Sequence, residues 1–250
     1  MRWRDRARIW AGAIRQRTIP GVLAFVLTRG CVAAGPFAGM RYIVSSTGSA
    51  LAPKLLGTYE AELHDVVKDM LRRNSDLLVD VGAAEGYYAV GFARRASGMT
   101  VIAFEQEATG RRLLAKLAAA NDVSGRVAIH GRCEPKDLQR VLKRDALLIT
   151  DVEGYERVLI DPAAVPALRQ VTILTEVHAA GPELGDELCA RLRDSHEPAW
   201  IRPIARPIST SSRYAAGRGF ERYLQWEHRP SPFYWLYFKP KTSDTATLAK

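Results

Sequence analysis

Four ionisable residues stand at the ends of two apolar segments in the second half of the chain. Asp151 and Glu153 follow the apolar run "ALLIT", and Glu176 and His178 end the run "VTILTEVH". Both runs have the length and composition of buried β-strands. Side chains two residues apart on a strand share a face, so Asp151 is expected beside Glu153 and Glu176 beside His178. Carboxylates and an imidazole at neighbouring strand ends can supply a general base or a site for a hard cation.

These residues also have two other interpretations. As a metal site, Asp151, Glu176 and His178 would hold Mg²⁺, although Mg²⁺ prefers oxygen ligands and His178 is a poor ligand for it. As structural residues, Asp151 and Glu153 would cap the following helix while His178 hydrogen-bonds a loop. The expectation is a catalytic group without a metal, and both alternatives stay open at this point.

A turn made of small residues follows an earlier apolar run, "LLVDV", and has the sequence "GAAEG" over residues 82–86. A phosphate-binding P-loop is excluded because no Gly-Lys-Ser/Thr follows, and the G-x-G-x-x-G pattern of dinucleotide sites is absent. The pattern that fits is Asp-x-Gly-x-Ala-x-Gly, from Asp80 to Gly86. Its small residues would let an amino-acid or nucleoside group approach the backbone. Asp80 would orient the turn and accept a hydrogen bond from a ligand ammonium group through water.

A carboxylate ends the next apolar run, where Glu105 stands in "VIAFEQE", about 20 residues after Gly86. An acid at this place in nucleotide-binding α/β folds accepts the ribose hydroxyls of an adenosine. Taken alone, tight packing explains the turn and a helix N-cap explains the acid. In this order and at this spacing, the two features predict a nucleoside-binding site.

Strand and helix patterns alternate along the chain from Asp76 onward. Apolar runs near residues 77, 100, 127, 147 and 172 are separated by helical patterns, which predicts an α/β fold with a parallel sheet covered on both faces. After Pro198, "AWIRPIARPI" and "FYWLYFKPK" predict two strands joined by a long loop. Two strands without a helix between them favour an antiparallel edge.

Four segments carry a resemblance to a known family: "VDVGAAEGYYAV", "VIAFEQE", "LLITDVEGYERVLI" and "ILTEVH". Together they resemble the core motifs of FkbM-type S-adenosylmethionine-dependent methyltransferases, over about residues 76–178. The resemblance implies an enzyme with S-adenosyl-L-methionine as its cofactor. It implies a class I Rossmann-like fold with seven strands, the last of them antiparallel. Together with the strand and helix pattern, this predicts a mostly parallel seven-strand sheet with helices on both faces and an N-terminal helical extension.

The sequence pattern divides the chain, and the resemblance assigns the first cofactor contacts. The expected parts are an N-terminal amphipathic helix and irregular extension over residues 1–57, a methyltransferase domain over residues 58–241 and a disordered tail over residues 242–250. The residues expected to line the methionine end of the cofactor are Asp80, Gly82, Ala83, Ala84 and Gly86. Glu105 is expected at the ribose.

Further contacts are implied on the adenine side and above the cofactor. The residues expected on the adenine side are Gln106, Gly131, Arg132 and Cys133. Tyr59 and Glu60 precede the first strand and are expected to close over the cofactor. Two positions depart from the family pattern: Ala84 stands where Asn or Asp is frequent, and Gln106 where Pro is frequent.

The expected chemistry follows from the cofactor. Methyl transfer from a sulfonium is an in-line displacement, for which the protein must align a nucleophile and remove its proton. The hypothesis is O-methylation of a hydroxyl on a small molecule or saccharide. His178 or Asp151 would act as the base, and Glu153 would position the substrate.

Positive charge is concentrated at both ends of the chain. The formal net charge is +9, with +5 over residues 1–17, +6 over residues 200–250 and −2 between them. Such ends are solvated tails, or they meet nucleic acid, an anionic lipid surface or an anionic substrate such as a glycan or sugar nucleotide. Arginines interleaved with aromatic residues make an RNA methyltransferase the alternative function. These residues are Arg202, Arg206, Arg213, Arg218, Arg222 and Arg229, with Tyr214, Phe220, Tyr223 and Trp226.

The cysteines and the hydropathy pattern bound the remaining function classes. Cys31, Cys133 and Cys189 lack C-x-x-C spacing, which argues against a disulfide framework and a zinc site and suits the cytoplasm. No transmembrane segment is expected. A non-catalytic module that binds S-adenosylmethionine is a further alternative, and a nicotinamide-dependent reductase is disfavoured by the missing glycine.

Overall fold

A computed structural model describes residues 19–47, 49–178, 182–204 and 233–241. Within them lies a seven-stranded sheet in the order β3-β2-β1-β4-β5-β7-β6. The strands are Leu77–Val81 (β1), Thr100–Phe104 (β2), Val127–His130 (β3), Leu147–Thr150 (β4), Thr172–Val177 (β5), His196–Ile201 (β6) and Tyr234–Pro240 (β7).

The helices connect these strands and cover the sheet. They are residues 19–27 (α1), Leu51–Leu56 (α2), His64–Arg72 (α3), Tyr87–Arg95 (α4), Ala108–Ala120 (α5), Pro135–Val141 (α6), Glu156–Leu159 (α7) and Glu183–Leu192 (α8). Short 3-10 turns occupy Ala61–Leu63, Ser124–Arg126 and Pro166–Gln170.

The strand directions agree with the sequence prediction. β1 to β5 are parallel. β7 lies antiparallel between β5 and β6, with Thr175 opposite Leu236 and Ala199 opposite Tyr237. The seven-strand sheet with its antiparallel last strand is therefore confirmed, and β7 and β6 form one edge of it.

Helices on both faces explain why the central strands are apolar at nearly every position. Successive side chains of a strand enter opposite faces. Leu78 and Ile149 belong to one hydrophobic cluster, whereas Val79 and Leu148 belong to a second cluster across the sheet. All five residues of β1 are buried. Asp80 is therefore a carboxylate in the middle of a hydrophobic strand.

The segment before residue 58 is partly helical and belongs to the same core as the sheet. α1 and α2 lie within the predicted irregular extension. Phe37 and Leu55 are fully buried in the cluster that also holds residues of α4. A Cβ atom on Gly91 of α4 would lie 2.6 Å from the Phe37 ring. The amphipathic helix expected over residues 1–17 and the tail over residues 242–250 lie outside the described residues.

The backbones of β1 and β4 come into close contact just beyond the ends of the two strands. The N–H of Asp151 donates to the carbonyl of Val81 at 2.9 Å. Gly82 has a φ of +83°, and a Cβ atom there would lie 1.8 Å from the carbonyl oxygen of Asp151. No side chain fits between these strand ends, so Gly82 is a requirement of the protein's own packing.

Gly82→Ala is therefore expected to destabilise the fold by about 3 kcal/mol, from the left-handed φ together with the contact against Asp151. Gly98→Ala is the matched control, since no atom lies within 4 Å of a Cβ at Gly98. The control should change the free energy of unfolding by less than about 0.5 kcal/mol. Urea denaturation of both variants measures the difference, and equal stabilities would contradict the packing argument.

Candidate active site

A cavity of about 710 Å³ opens at the carboxyl ends of the central strands. Val81, Phe104, Ile149 and Glu176 contribute to its wall from β1, β2, β4 and β5. In open α/β sheets, ligands bind beyond the carboxyl ends of the strands, where the strand order reverses. β1 pairs with β2 on one side and β4 on the other, so the cavity lies at that reversal.

The turn after β1 forms one wall, but its two glycines have structural roles. Gly82, Ala83 and Ala84 line the cavity. Gly86 is not among the lining residues; it has a φ of +97° immediately before α4, and a Cβ there would lie 2.8 Å from Cγ of Leu114. The small residues in this turn therefore reflect packing against α5 and β4 as well as space for a ligand.

Asp80 of β1 precedes the turn and contributes to the same wall of the cavity. It is 3% exposed and lines the cavity, and its Oδ2 has no hydrogen-bond partner among the described residues. Burial raises the pKa of Asp80 to about 7, a backbone hydrogen bond from Ala89 opposes the rise, and the charges of Asp151, Glu105 and Glu60 add to it. A cation entering the cavity would relieve this repulsion.

The side chain of Glu105, directly after β2, hydrogen-bonds the turn after β1. That it binds a ribose stays a prediction. Its Oε2 accepts the N–H of Ala84 at 2.8 Å and its Oε1 accepts the N–H of Glu107 at 2.7 Å. Gly110 makes room for it, since a Cβ there would lie 2.7 Å from Cγ of Glu105. Each carboxylate oxygen has a second lone pair, so the fixed group retains acceptors for ligand hydroxyls.

The predicted adenine side is only partly on the cavity wall. Gln106, Arg132 and Cys133 line it, whereas Gly131 is not among the lining residues. The Arg132 guanidinium lies 4.7 Å from the centre of the Tyr155 ring. Burial raises the pKa of the Cys133 thiol to about 12, with smaller contributions from neighbouring carboxylates, so this wall is uncharged at Cys133.

Tyr59 and Glu60 line the cavity beside α4. The Tyr59 ring packs edge-on against Tyr87, with centroids 5.2 Å apart. Glu60 is 1% exposed and accepts a hydrogen bond from the Tyr88 hydroxyl. Both predicted residues therefore contribute to the cavity. That they cover a cofactor stays a prediction.

Sequence reasoning missed Glu85, a charged residue in the middle of the small-residue turn. Its buried carboxylate forms an ion pair with Lys54 at 2.5 Å. It also accepts hydrogen bonds from the Tyr42 hydroxyl at 2.6 Å, the Ser46 hydroxyl at 2.7 Å and the Thr47 N–H at 3.0 Å. The only signal in the sequence is the occurrence of Glu in a turn of Gly and Ala. Its partners lie 31 to 43 residues away.

The four ionisable residues predicted at the ends of β4 and β5 do come together. The side chain of His178 places its Nε2 3.6 Å from Asp151, 3.5 Å from Glu153 and 3.8 Å from Glu176. Thr150 and Thr175 hydrogen-bond across the two strands at 2.7 Å. All four side chains line the cavity.

Glu156 is a fifth carboxylate in this group, and the sequence argument did not find it. It is fully buried at the start of α7, and its Oε1 lies 2.9 Å from Nδ1 of His178 and accepts the N–H of Gly154 at 3.2 Å. Its position two residues after the Asp-Val-Glu-Gly turn is the signal that was overlooked. Because Glu156 contacts Nδ1, the other ring nitrogen of His178, Nε2, faces the carboxylates that line the cavity.

Burial alone would lower the pKa of His178, but its neighbours reverse that effect. The hydrogen bond to Glu156 and the charges of Asp151, Glu153 and Glu156 raise the pKa above its usual value. His178 is therefore a basic group that carries positive charge more readily than a histidine in water.

The two alternative interpretations of this group fare differently. α7 has no side-chain cap at its N-terminus, which does not support Asp151 and Glu153 as capping residues. A possible metal-ligand group exists among the described residues, because donor atoms of Asp151, Glu153 and His178 lie within 4.8 Å of one another. That group contains Glu153 in the place the sequence argument gave to Glu176.

Glu156→Gln is expected to lower the pKa of His178, since it removes the hydrogen-bonded charge at Nδ1. With the folded-state pKa raised above the unfolded value of about 6.5, the stabilisation is complete below that pH and is lost as the pH rises through the folded-state pKa. NMR titration of the His178 ring and thermal melts between pH 6 and 9 measure both effects. Glu187→Gln, which alters a pair with Arg157, is the control; equal His178 titrations would contradict the role of Glu156.

Comparison with known proteins yields structures but no sequence relative. No family model and no curated protein matches the sequence. A precorrin-6y C5,15-methyltransferase from Geobacter metallireducens GS-15 matches with a TM-score of 0.50 and 12% identity, over 72% of this chain and 89% of that chain.

Two O-methyltransferase structures match with lower scores. For the S-adenosylmethionine-dependent enzyme from Thermotoga maritima, the TM-score is 0.47 and the identity 13%, over 73% of this chain and 65% of that chain. For the Bacillus cereus enzyme in complex with S-adenosylhomocysteine, the values are 0.46 and 8%, over 70% and 78%. The match thus spans a little under two thirds of the Thermotoga protein. At these identities the likeness concerns the fold alone, which is the Rossmann-like fold of class I methyltransferases.

Proposed function

We propose that the protein is an S-adenosylmethionine-dependent methyltransferase of the FkbM type that methylates a hydroxyl group on a small molecule or saccharide. The observation that carries the proposal is Asp80, a buried carboxylate on the cavity wall with one oxygen that has no hydrogen-bond partner among the described residues. It precedes the turn of residues 82–86, in which the N–H of Ala84 donates to Glu105. A sulfonium nucleoside with an ammonium group supplies the positive charge that Asp80 lacks. The fold likeness to the precorrin methyltransferase is consistent with this assignment.

The residues present fit the cofactor at three points. Ala83 and Ala84 leave the backbone of the turn accessible, Glu105 retains lone pairs for the ribose hydroxyls, and Asp80 would attract the ammonium group. Arg132 and Cys133 offer a partly apolar wall for the adenine. The cavity volume of about 710 Å³ lies within the range typical of cofactor and substrate sites.

His178 is the proposed general base. When bound, the cofactor supplies a methyl group already activated by its sulfonium sulfur, so the protein's part is to hold the acceptor hydroxyl and take its proton. Glu156 holds His178 through Nδ1, which leaves Nε2 as the proton acceptor. Asp151 and Glu153 would stabilise the imidazolium and orient the acceptor. Asp151 is retained as the second candidate base.

The alternative of an RNA methyltransferase depends on residues that lie mostly outside the described ranges. Of the arginines and aromatic residues on which it rests, only Arg202 is described. RNA affinity that falls steeply with salt would favour it, and salt-insensitive binding would count against it.

No helix among the described residues is long and apolar enough to span a membrane. The three cysteines are free, and a cytoplasmic location remains part of the proposal.

Cofactor binding is expected to strengthen as the pH rises from about 6 to 8. Asp80, with a pKa of about 7, must ionise to pair with the ammonium group, so binding releases a proton near neutral pH. Calorimetry with S-adenosylhomocysteine in buffers of different ionisation enthalpy measures that proton. Asp80→Asn should weaken binding at least tenfold and abolish the pH dependence, whereas the exposed control Asp76→Asn should do neither.

The same substitution is expected to stabilise the free protein. A carboxyl group whose folded-state pKa is raised makes the folded state less stable as the pH rises from about 4 to about 7. Asp80→Asn removes that penalty, so its melting temperature at pH 8 should exceed that of the unaltered protein. A variant that melts lower and still binds S-adenosylhomocysteine normally would contradict the assignment of Asp80.

His178→Gln is expected to lower the transfer rate by about 10² to 10⁴ while leaving S-adenosylhomocysteine affinity unchanged. Asp151→Asn, which alters the second candidate base, should fold normally, and the larger loss of the two identifies the base. The assay follows tritium from methyl-labelled S-adenosylmethionine into a panel of hydroxylated small molecules and saccharides. Activity that survives both substitutions would reject this mechanism, and activity abolished by a chelator would favour the metal-assisted variant.

A further inference from the structure

The ammonium group of Lys54 is a buried cation on the cavity wall that the proposed chemistry does not use. Lys54 lies in α2, is 2% exposed and lines the cavity. Its Nζ donates to Glu85 at 2.5 Å and to Ser46 at 3.3 Å. The rings of Tyr59 and Tyr87 lie 4.9 and 5.7 Å from it. These contacts hold the charge beside the turn after β1.

The bonding around Glu85 leaves Lys54 able to bind a further anion. An ammonium group has three N–H donors, and two acceptors bind them among the described residues. The Glu85 carboxylate, in contrast, is shared among four donors, including the Tyr42 hydroxyl and the Thr47 N–H. Lys54 is thus only partly neutralised by its partner and retains one donor.

The other cationic groups of the described cavity wall are held elsewhere. Arg132 lies over the Tyr155 ring and binds Glu134 at 2.8 Å. His178 is surrounded by carboxylates at the ends of β4 and β5. Lys54 is the described cation whose carboxylate partner, Glu85, belongs to the turn itself. Among these three cations, Lys54 is thus the one that an ion pair joins directly to this turn.

We propose that Lys54 recognises the carboxylate at the amino-acid end of the cofactor, while Asp80 binds the ammonium group of the same moiety. This inference rests on the proposed function and names a specificity-determining residue for it. The amino-acid end carries one charge of each sign. Asp80 of β1 and Lys54 of α2 place one buried group of each opposite sign on the cavity wall beside the turn. Glu85 then acts as a positioning residue that holds Lys54 against the turn.

The test compares two ligands that differ only by that carboxylate, S-adenosylmethionine and decarboxylated S-adenosylmethionine. The unaltered protein should bind the first about 10- to 100-fold more tightly, as for a charge-assisted hydrogen bond. Lys54→Met alone would leave Glu85 as a buried unpaired charge and threaten folding. The informative variant is therefore Lys54→Met with Glu85→Gln, compared with Glu85→Gln alone.

In the double variant the affinity ratio should fall to about threefold or less. In Glu85→Gln alone it should be kept or increase, because the ligand carboxylate becomes the main counter-charge of Lys54. A merely structural ion pair would predict the same ratio in both variants. Lys143→Met is the control, expected to keep the ratio because it removes a surface cation that pairs with Asp76 and does not line the cavity. Melting temperatures establish that each variant is folded.

The outcomes separate this inference from the proposed function. Equal binding of both ligands by the unaltered protein overturns the role of Lys54 and leaves the methyltransferase assignment standing. A ratio that survives in the double variant, or that collapses in Lys143→Met instead, also overturns it. Failure of both ligands to bind the unaltered protein overturns both proposals.

Discussion

The contact between the ends of β1 and β4 determines the architecture of the site. The carbonyl oxygen of Asp151 occupies the place where a side chain on Gly82 would begin. This approach brings the turn of residues 82–86 against the segment that carries Asp151 and Glu153. The proposed cofactor wall and the proposed catalytic group are thereby parts of one rigid unit. A larger residue at position 82 would separate them, whatever the remaining side chains were.

A second constraint is the concentration of carboxylates in a poorly solvated cavity. Asp80, Glu60 and Glu176 are each at most 3% exposed, and burial disfavours the charged form of Asp80. In the free protein, the pKa of Asp80 and the pKa of His178 are both raised, so Asp80 ionises less readily and His178 becomes protonated more readily. Ionisation of Asp80 therefore lowers the stability of the folded protein. Such local destabilisation is common where a protein must bind or react.

The described segment before residue 58 contributes to the cavity wall, and an ion pair and hydrogen bonds to Glu85 hold it there. Glu85 accepts hydrogen bonds from four residues of that segment and so links it to the turn after β1. These residues are Tyr42, Ser46, Thr47 and Lys54. The apolar side chains of the segment belong to the same hydrophobic cluster as α4, and Phe37 packs against Gly91 of that helix. The segment is thus a structural wall of the site and not only an attachment to the domain.

The sequence by itself determined the alternation of strands and helices, because burial on two faces leaves a periodic pattern in each element. It also determined that Asp80, Glu105, Asp151 and His178 stand at strand ends, since parallel strands bring those ends to one edge. Such inferences need only local patterns and the topology of an open sheet. The resemblance added the expected cofactor and the number of strands, and it agreed with the antiparallel edge that the pattern had predicted.

Only the tertiary structure decided which partners the charged residues have. Glu85 pairs with Lys54 across 31 residues and Glu156 with His178 across 22 residues, and no periodicity connects such positions. The same holds for Gly82 and Gly86, whose small size serves contacts with Asp151 and Leu114 that are distant in sequence. Local pattern reports whether a residue is buried. What it is buried against depends on how the elements pack, and that decides its charge state and its chemistry.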